Sequence, residues 1–157
     1  MSQAEVLYIA DALQEAGVQV VIIGGHAVNF HGYLRATEDV DLVFRRLQGV
    51  EEILLQVLTD WKAFWISDEI DPATGLETTI PVSLEFIRSN HLMMLGTQMG
   101  YVDLFDFIPG LPSENLDGLF STAVSIGQRR FASLEWLKRM KRAAGRPQDE
   151  IDLRHLP

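Results

Sequence analysis

The chain has 157 residues, 47% hydrophobic and 22% charged, which suits one globular domain with a real core. A net charge of −9 argues against a general nucleic-acid binder, and the absence of cysteine excludes disulfides and thiolate metal sites. No apolar run reaches the ~20 residues that span a membrane, and residues 1–15 carry Glu5, Asp11 and Glu15 without a basic lead, unlike a signal peptide; the expected location is cytoplasmic.

Hydrophobic periodicity predicts the elements in chain order. Residues 2–16 read as an amphipathic helix, with Val6, Ile9, Ala10 and Leu13 on one face and Gly17 at its end. Residues 18–23 form an apolar run suited to a central strand, and residues 25–33 a second helix. A strand over 40–44 and a helix over 49–58 follow. Trp61, Phe64 and Trp65 cluster in 60–67; the pattern fits a core lid better than a stacking platform for a base. Residues 68–81, with Asp71-Pro72 and Thr74-Gly75, read as a flexible loop. A strand is expected over 82–88, then a hairpin pairing 91–95 with 101–108. Residues 109–117 are loop, and 123–131 hold one more short strand. Ser133 is placed to cap a helix over 134–144 that Gly145 stops, and Pro147 opens a last helix to residue 156. The expected fold is α/β (α+β): a small mixed sheet flanked by helices, in one domain over 1–157, with a C-terminal helical segment at about 133–157.

Two local patterns carry chemistry. Val20 to Ile23 is apolar and ends in Gly24-Gly25, a strand turning tightly into a helix. Glycine lets backbone approach a ligand closely, and the helix start offers unpaired N–H groups to an anion such as phosphate. Asp39 and Asp41 lie two apart on a strand and so project from one face, with Val40 and Leu42 turned to the core. Two adjacent carboxylates repel unless a cation sits between them, and an all-oxygen site suits magnesium with substrate phosphates. Asp103 is an acid in the apolar run 101–108; a neighbouring strand can carry it to Asp39 and Asp41, unless it is an edge-strand acid facing water. Glu85 is the alternative, and Asp106 points to the opposite face.

The string Gly24-Gly25, then Arg35-Ala-Thr-Glu-Asp39-Val-Asp41, resembles the signature of the nucleotidyltransferase superfamily with the polymerase-beta-like fold, and is similar to its small bacterial minimal and abortive-infection types. Val102-Asp103-Leu104 resembles the strand bearing that family's third metal-binding acid, and the run from Met140 to Asp149 its C-terminal signature. The resemblance implies a metal-dependent nucleotidyltransferase. It would move a nucleoside monophosphate from a nucleoside triphosphate, ATP among the candidates, to an acceptor hydroxyl on a small molecule, RNA or protein. Asp39, Asp41 and Asp103 would be catalytic and hold two magnesium ions, or manganese. Gly24, Gly25, Arg35 and Lys141 would bind the nucleotide. This chain has Gly25 followed by His26 where members of the family often carry serine. The alternative is a catalytically silent nucleotide-binding or toxin–antitoxin-type module of the same fold, with a partner protein.

The remaining candidates divide between structure and chemistry. Eight of the 13 Lys and Arg residues fall in 129–154, either a local basic surface or a solvated helix face. Lys138, Lys141 and Arg142 share a helix face. Lys141, Arg142 or Arg146 could reach a triphosphate, or Arg146 and Asp149 could only pair to fix a turn. Arg35 could hold phosphate or pair with Glu38. His26 could touch a ligand or line the helix start. No pair of histidines has zinc-helix spacing, and neither GxSxG nor GxxxxGK[ST] occurs.

Overall fold

The computed structural model describes residues 6–157. Eight strands form one mixed sheet in the order β4-β3-β5-β6-β2-β1-β8-β7. Its central strands are those the sequence marks as apolar: β1 (Val20–Ile23) pairs antiparallel with β2 (Val40–Phe44), and β2 pairs parallel with β6 (Gly100–Phe105). β5 (Leu92–Thr97) and β6 form the expected hairpin. Every residue of β1 is buried, as a strand covered on both faces requires.

Alternation along the central strands divides the core in two. Val40, Leu42 and Phe44 join Ile22, Leu95, Val102 and Leu104 on one face. That face is covered by α1 (Tyr8–Ala16), α3 (Val50–Asp60) and α4 (Leu84–Ser89). Val21, Ile23 and Val43 turn the other way, onto α5 (Asp117–Ser121) and α6 (Leu134–Ala144) through Leu119, Trp136 and Met140. The second layer covers only part of its face. Asp41 and Asp103, in register on β2 and β6, project on that same side of the sheet where the helices leave an opening. Between β1 and β2 lies α2 (Gly24–Phe30).

The helix boundaries follow local chemistry. Gly17 closes α1 in the left-handed region at φ 102°. The Ser133 side chain accepts from the Trp136 N–H and Gly145 ends α6, as read from the sequence. Pro147 opens α7 (Pro147–His155), with Asp149 accepting from the Arg146 N–H. The part of the first predicted helix over residues 2–5 lies outside the described residues.

Three expectations are corrected. The sheet is larger than predicted, because 68–81 is not a loop. β3 (Phe64–Ile70) and β4 (Glu77–Pro81) form a hairpin, and only Asp71–Leu76 is a turn. Residues 82–88 do not form a strand: the Ser83 hydroxyl accepts from the Phe86 N–H and starts α4, whose Phe86 stacks on Trp65 at 5.1 Å. That contact puts Trp65 with the core, as weighed. Residues 123–131 hold two strands, β7 (Val124–Ile126) and β8 (Arg129–Phe131), not one.

Candidate active site

The site begins where β1 ends. Gly24 takes φ 66°, a conformation costly for any residue with a Cβ, and a Cβ there would stand 2.2 Å from Asp41 Oδ2. Gly25 is equally confined: its Cβ would meet Thr37 Oγ1 at 2.5 Å. The glycine pair therefore lets the loop before β2 close onto α2. Asp41 lies directly beside Gly24, and Thr37 beside Gly25.

The pairing of β2 with β6 sets the two acids side by side, Asp41 opposite Asp103. Burial pushes the Asp41 carboxyl up, the adjacent Asp103 charge and their shared hydrogen bond push it further, and Asp39 adds to this; the result is about 7. Arg146 pulls weakly the other way. Asp103 is also raised, by burial and then by Asp39, while its hydrogen bond with Asp41 opposes the shift. The two carboxyls therefore titrate as a coupled pair, both held above the usual carboxylate range by burial and by neighbouring carboxylate charge. Asp39 lies in the bend before β2, exposed, and contributes its charge from the rim.

Two cavities open around this pair. One, of about 470 Å³, is lined by Gly24, Gly25, Arg35, Asp39, Asp41 and Asp103, with Lys141 and Arg146 completing its wall. The other, about 320 Å³, runs from Asp41 and Asp103 under α6, against Phe105, Leu137 and Met140. Gly24, Gly25, Arg35, Asp39, Asp41, Asp103 and Lys141, assigned from the sequence to metal or nucleotide, all line the first cavity, whereas Arg142 is exposed and does not. Glu85, the alternative acid, is exposed in the first turn of α4. Asp106 bonds Arg46 and His91. His26 is buried on α2, and lines neither cavity; burial, then Arg129 and Arg35, lower its pKa.

The cations around the cavity are held by two acids the sequence reading underused. Arg35 donates Nε and Nη2 to both oxygens of Asp152, at 2.7 and 2.9 Å, rather than to Glu38. Lys141, 6% exposed, sits 2.9 Å from Asp152 and 3.2 Å from Asp149. Arg146 reaches Asp149 at 2.8 Å and keeps 74% of its side chain exposed. Arg146 thus both fixes the turn into α7 and faces the cavity. Burial alone would raise Asp149 and Asp152, but hydrogen bonds from Arg146 and from Arg35 and Lys141 hold both below the usual carboxylate range. Asp152 was findable: it lies three residues beyond Asp149, so the two share a face of α7.

No protein-family model matches this chain, and no curated protein matches it in sequence. Among solved structures it is similar to an antigenic nucleotidyltransferase-like protein from Paracoccidioides brasiliensis, at 20% identity and a TM-score of 0.54, over 98% of this chain and 74% of that one. JHP933 from Helicobacter pylori is similar over 90% of this chain and 57% of its own, at 14% identity and a TM-score of 0.41. The first likeness defines the class of fold: a nucleotidyltransferase-like mixed sheet with helices on both faces. No helix among the described residues is long and apolar enough to cross a membrane.

Proposed function

We propose that this chain is a metal-dependent nucleotidyltransferase whose reacting centre is the Asp41–Asp103 pair. The observation that carries the reading is that pair: two carboxylates in register on adjacent strands, half-buried, at the end of a cavity walled by two arginines and a lysine. Carboxylates raised together in this way mark a place for a cation. No three His, Asp or Glu side chains among the described residues are gathered into a ready-made metal cage. Magnesium does not need one. It keeps waters and binds through one or two carboxylates plus substrate phosphates, and Asp41 and Asp103, with Asp39 at the rim, fit that demand.

Asp41 and Asp103 would hold the metal, with Asp39 at the rim as a further carboxylate. Bound magnesium would neutralise the phosphate oxygens and lower the pKa of the acceptor hydroxyl. Arg146, whose side chain is exposed although it is paired with Asp149, and the backbone at Gly24-Gly25 would orient the β- and γ-phosphates. Arg35 and Lys141 are committed to Asp152, so they would supply positive potential across the cavity without releasing their partners. The acceptor oxygen attacks the α-phosphorus; the bond from that phosphorus to the bridging oxygen breaks, and pyrophosphate leaves. The hydroxyl proton passes to a carboxylate of the cluster and then to solvent. The likeness to minimal and abortive-infection types rests on the sequence motif, as does ATP as donor.

Purified protein incubated with each α-labelled nucleoside triphosphate, magnesium and cell extract tests the reading. Label transferred to a discrete acceptor, and lost in Asp41→Asn and Asp103→Asn, is expected. Transfer that survives both substitutions contradicts it.

A further inference from the structure

The face of the sheet that carries Asp103 continues over β5 and β3, where Leu92, Met94 and Ile66 are exposed. Met94 stands directly across from Asp103, and Gly96 across from Tyr101. Met94 and Tyr101 are 65% and 53% exposed. Gly96 has a reason to be glycine: its missing Cβ leaves the space in which the Phe64 ring lies, 2.3 Å from where that carbon would stand. The flat ring, Tyr101 and Met99 line a cavity of about 490 Å³, together with Val6 and with Thr37 and Glu38. Thr37 and Glu38 also line the carboxylate cavity, so the two spaces share a wall. Their charge differs sharply. Among the described residues no Lys or Arg lines the second space, and none occurs on β3, β4, β5 or β6, which carry Asp68, Glu69, Glu77 and Asp103. Glu38 is exposed at the seam and makes no ion pair among the described residues.

We propose that this second cavity is the acceptor chamber of the transferase, and that it takes a small apolar-bodied hydroxy compound that is neutral or cationic. The proposal rests on the transferase reading for the word acceptor, but the binding preference stands on the chamber alone. Its volume is that of a small-molecule site, and its aromatic floor buries a ring or alkyl body. A nucleic-acid strand needs cations along its phosphates, and this face supplies acids instead. Glu38 offers a carboxylate to an ammonium at the mouth, on the side toward Asp39 and Asp41.

A matched trio of probes tests it: tyramine, 4-hydroxyphenylethanol and 4-hydroxyphenylacetate share a ring and differ in charge. Each is titrated into the full chain while backbone amide resonances are followed. The two non-anionic probes should shift Phe64, Gly96, Met99 and Tyr101, with tyramine tighter than the anion by about three- to five-fold. Glu38→Gln should bring tyramine to the affinity of the neutral probe, and Tyr101→Ala should weaken both, with thermal unfolding unchanged in each variant. Equal or tighter binding of the anion, shifts confined to other residues, or preferential perturbation of this face by an oligouridylate would overturn the proposal. Titration with magnesium and ATP in the same samples keeps the readings apart. If the probes bind here but nucleotide never reaches Asp41 and Asp103, the transferase reading fails and the chamber stands; the reverse result removes the chamber alone.

Discussion

At the scale of single residues, Asp41 is where stability and chemistry oppose one another. Its folded pKa of about 7 lies above the ordinary value of 3.8, so the folded chain binds the proton more tightly than the unfolded chain. The contribution is full below the unfolded pKa and is lost as pH rises through the folded one. Denaturant unfolding between about pH 4 and 7 should therefore show a declining stability, by about 4 kcal/mol at most on this group's account. Asp41→Asn should flatten that decline and raise stability at pH 8, and millimolar magnesium should restore the native chain there. A flat profile for the native chain would remove the coupled-pair account. Gly24 answers to the same residue. Gly24→Ala puts a methyl group on Asp41 in a backbone conformation that disfavours it, and should cost about 2–4 kcal/mol while displacing the carboxylate. The check is thermal unfolding alongside magnesium-dependent nucleotide binding, both of which should fall.

At the scale of elements, the C-terminal helices are tied to the loop before β2 through Asp152. That side chain is fully buried and receives Arg35, Lys141 and Gln148. Removing it leaves Lys141 buried with less compensation, which costs about 3–5 kcal/mol. Asp152→Ala should show that loss in urea unfolding, whereas Glu150→Ala, exposed on the same helix, should change little. Because Asp149 and Asp152 are held below the usual carboxylate range, their contribution is present above the unfolded pKa and disappears as pH falls through the folded values. The native chain should lose stability below about pH 4, and Asp152→Asn should lose less of it. How much was legible in the sequence follows element strength. α6 and α7 announced themselves through Ser133, Gly145 and Pro147, each a cap with one physical job. β1, β2 and the β5–β6 hairpin were readable because one face is wholly apolar. The β3–β4 hairpin was not, since its outer strand has no second layer to bury and tolerates Glu77 and Pro81 at its ends. α4 was lost for another reason: with six residues it is too short to show a helical period, so alternation in 82–88 imitated a strand. The Ser83 cap was its one local signal. The glycines and acids of the site stood out because each departs from an apolar run. Asp103 was expected beside Asp41, but the parallel register of β2 and β6 that sets them opposite one another was not readable, nor was the pairing of Arg35 with Asp152 across 117 residues.

At the scale of the whole molecule, charge is segregated. The net of −9 coexists with a C-terminal stretch holding most of the Lys and Arg residues, yet Arg129, Arg139, Lys141 and Arg146 are committed to Asp11, Glu114, Asp149 and Asp152. Half of the basic stretch is therefore internal balance rather than a surface for polyanions. Retention on heparin at physiological salt should be negligible, and strong retention would show a basic face this account lacks. Arg35, Lys141 and Arg146, paired with Asp149 and Asp152, bring positive charge to the cavity at Asp41 and Asp103. The central claim is that these carboxylates form a divalent-cation site for a nucleotide. Calorimetric titration of ATP with and without magnesium measures it most directly. The account predicts binding that needs the metal and falls by more than about ten-fold in Asp41→Asn and in Asp103→Asn, a loss of roughly 1.4 kcal/mol or more. Binding of equal strength without metal, or undiminished in the two variants, would contradict it.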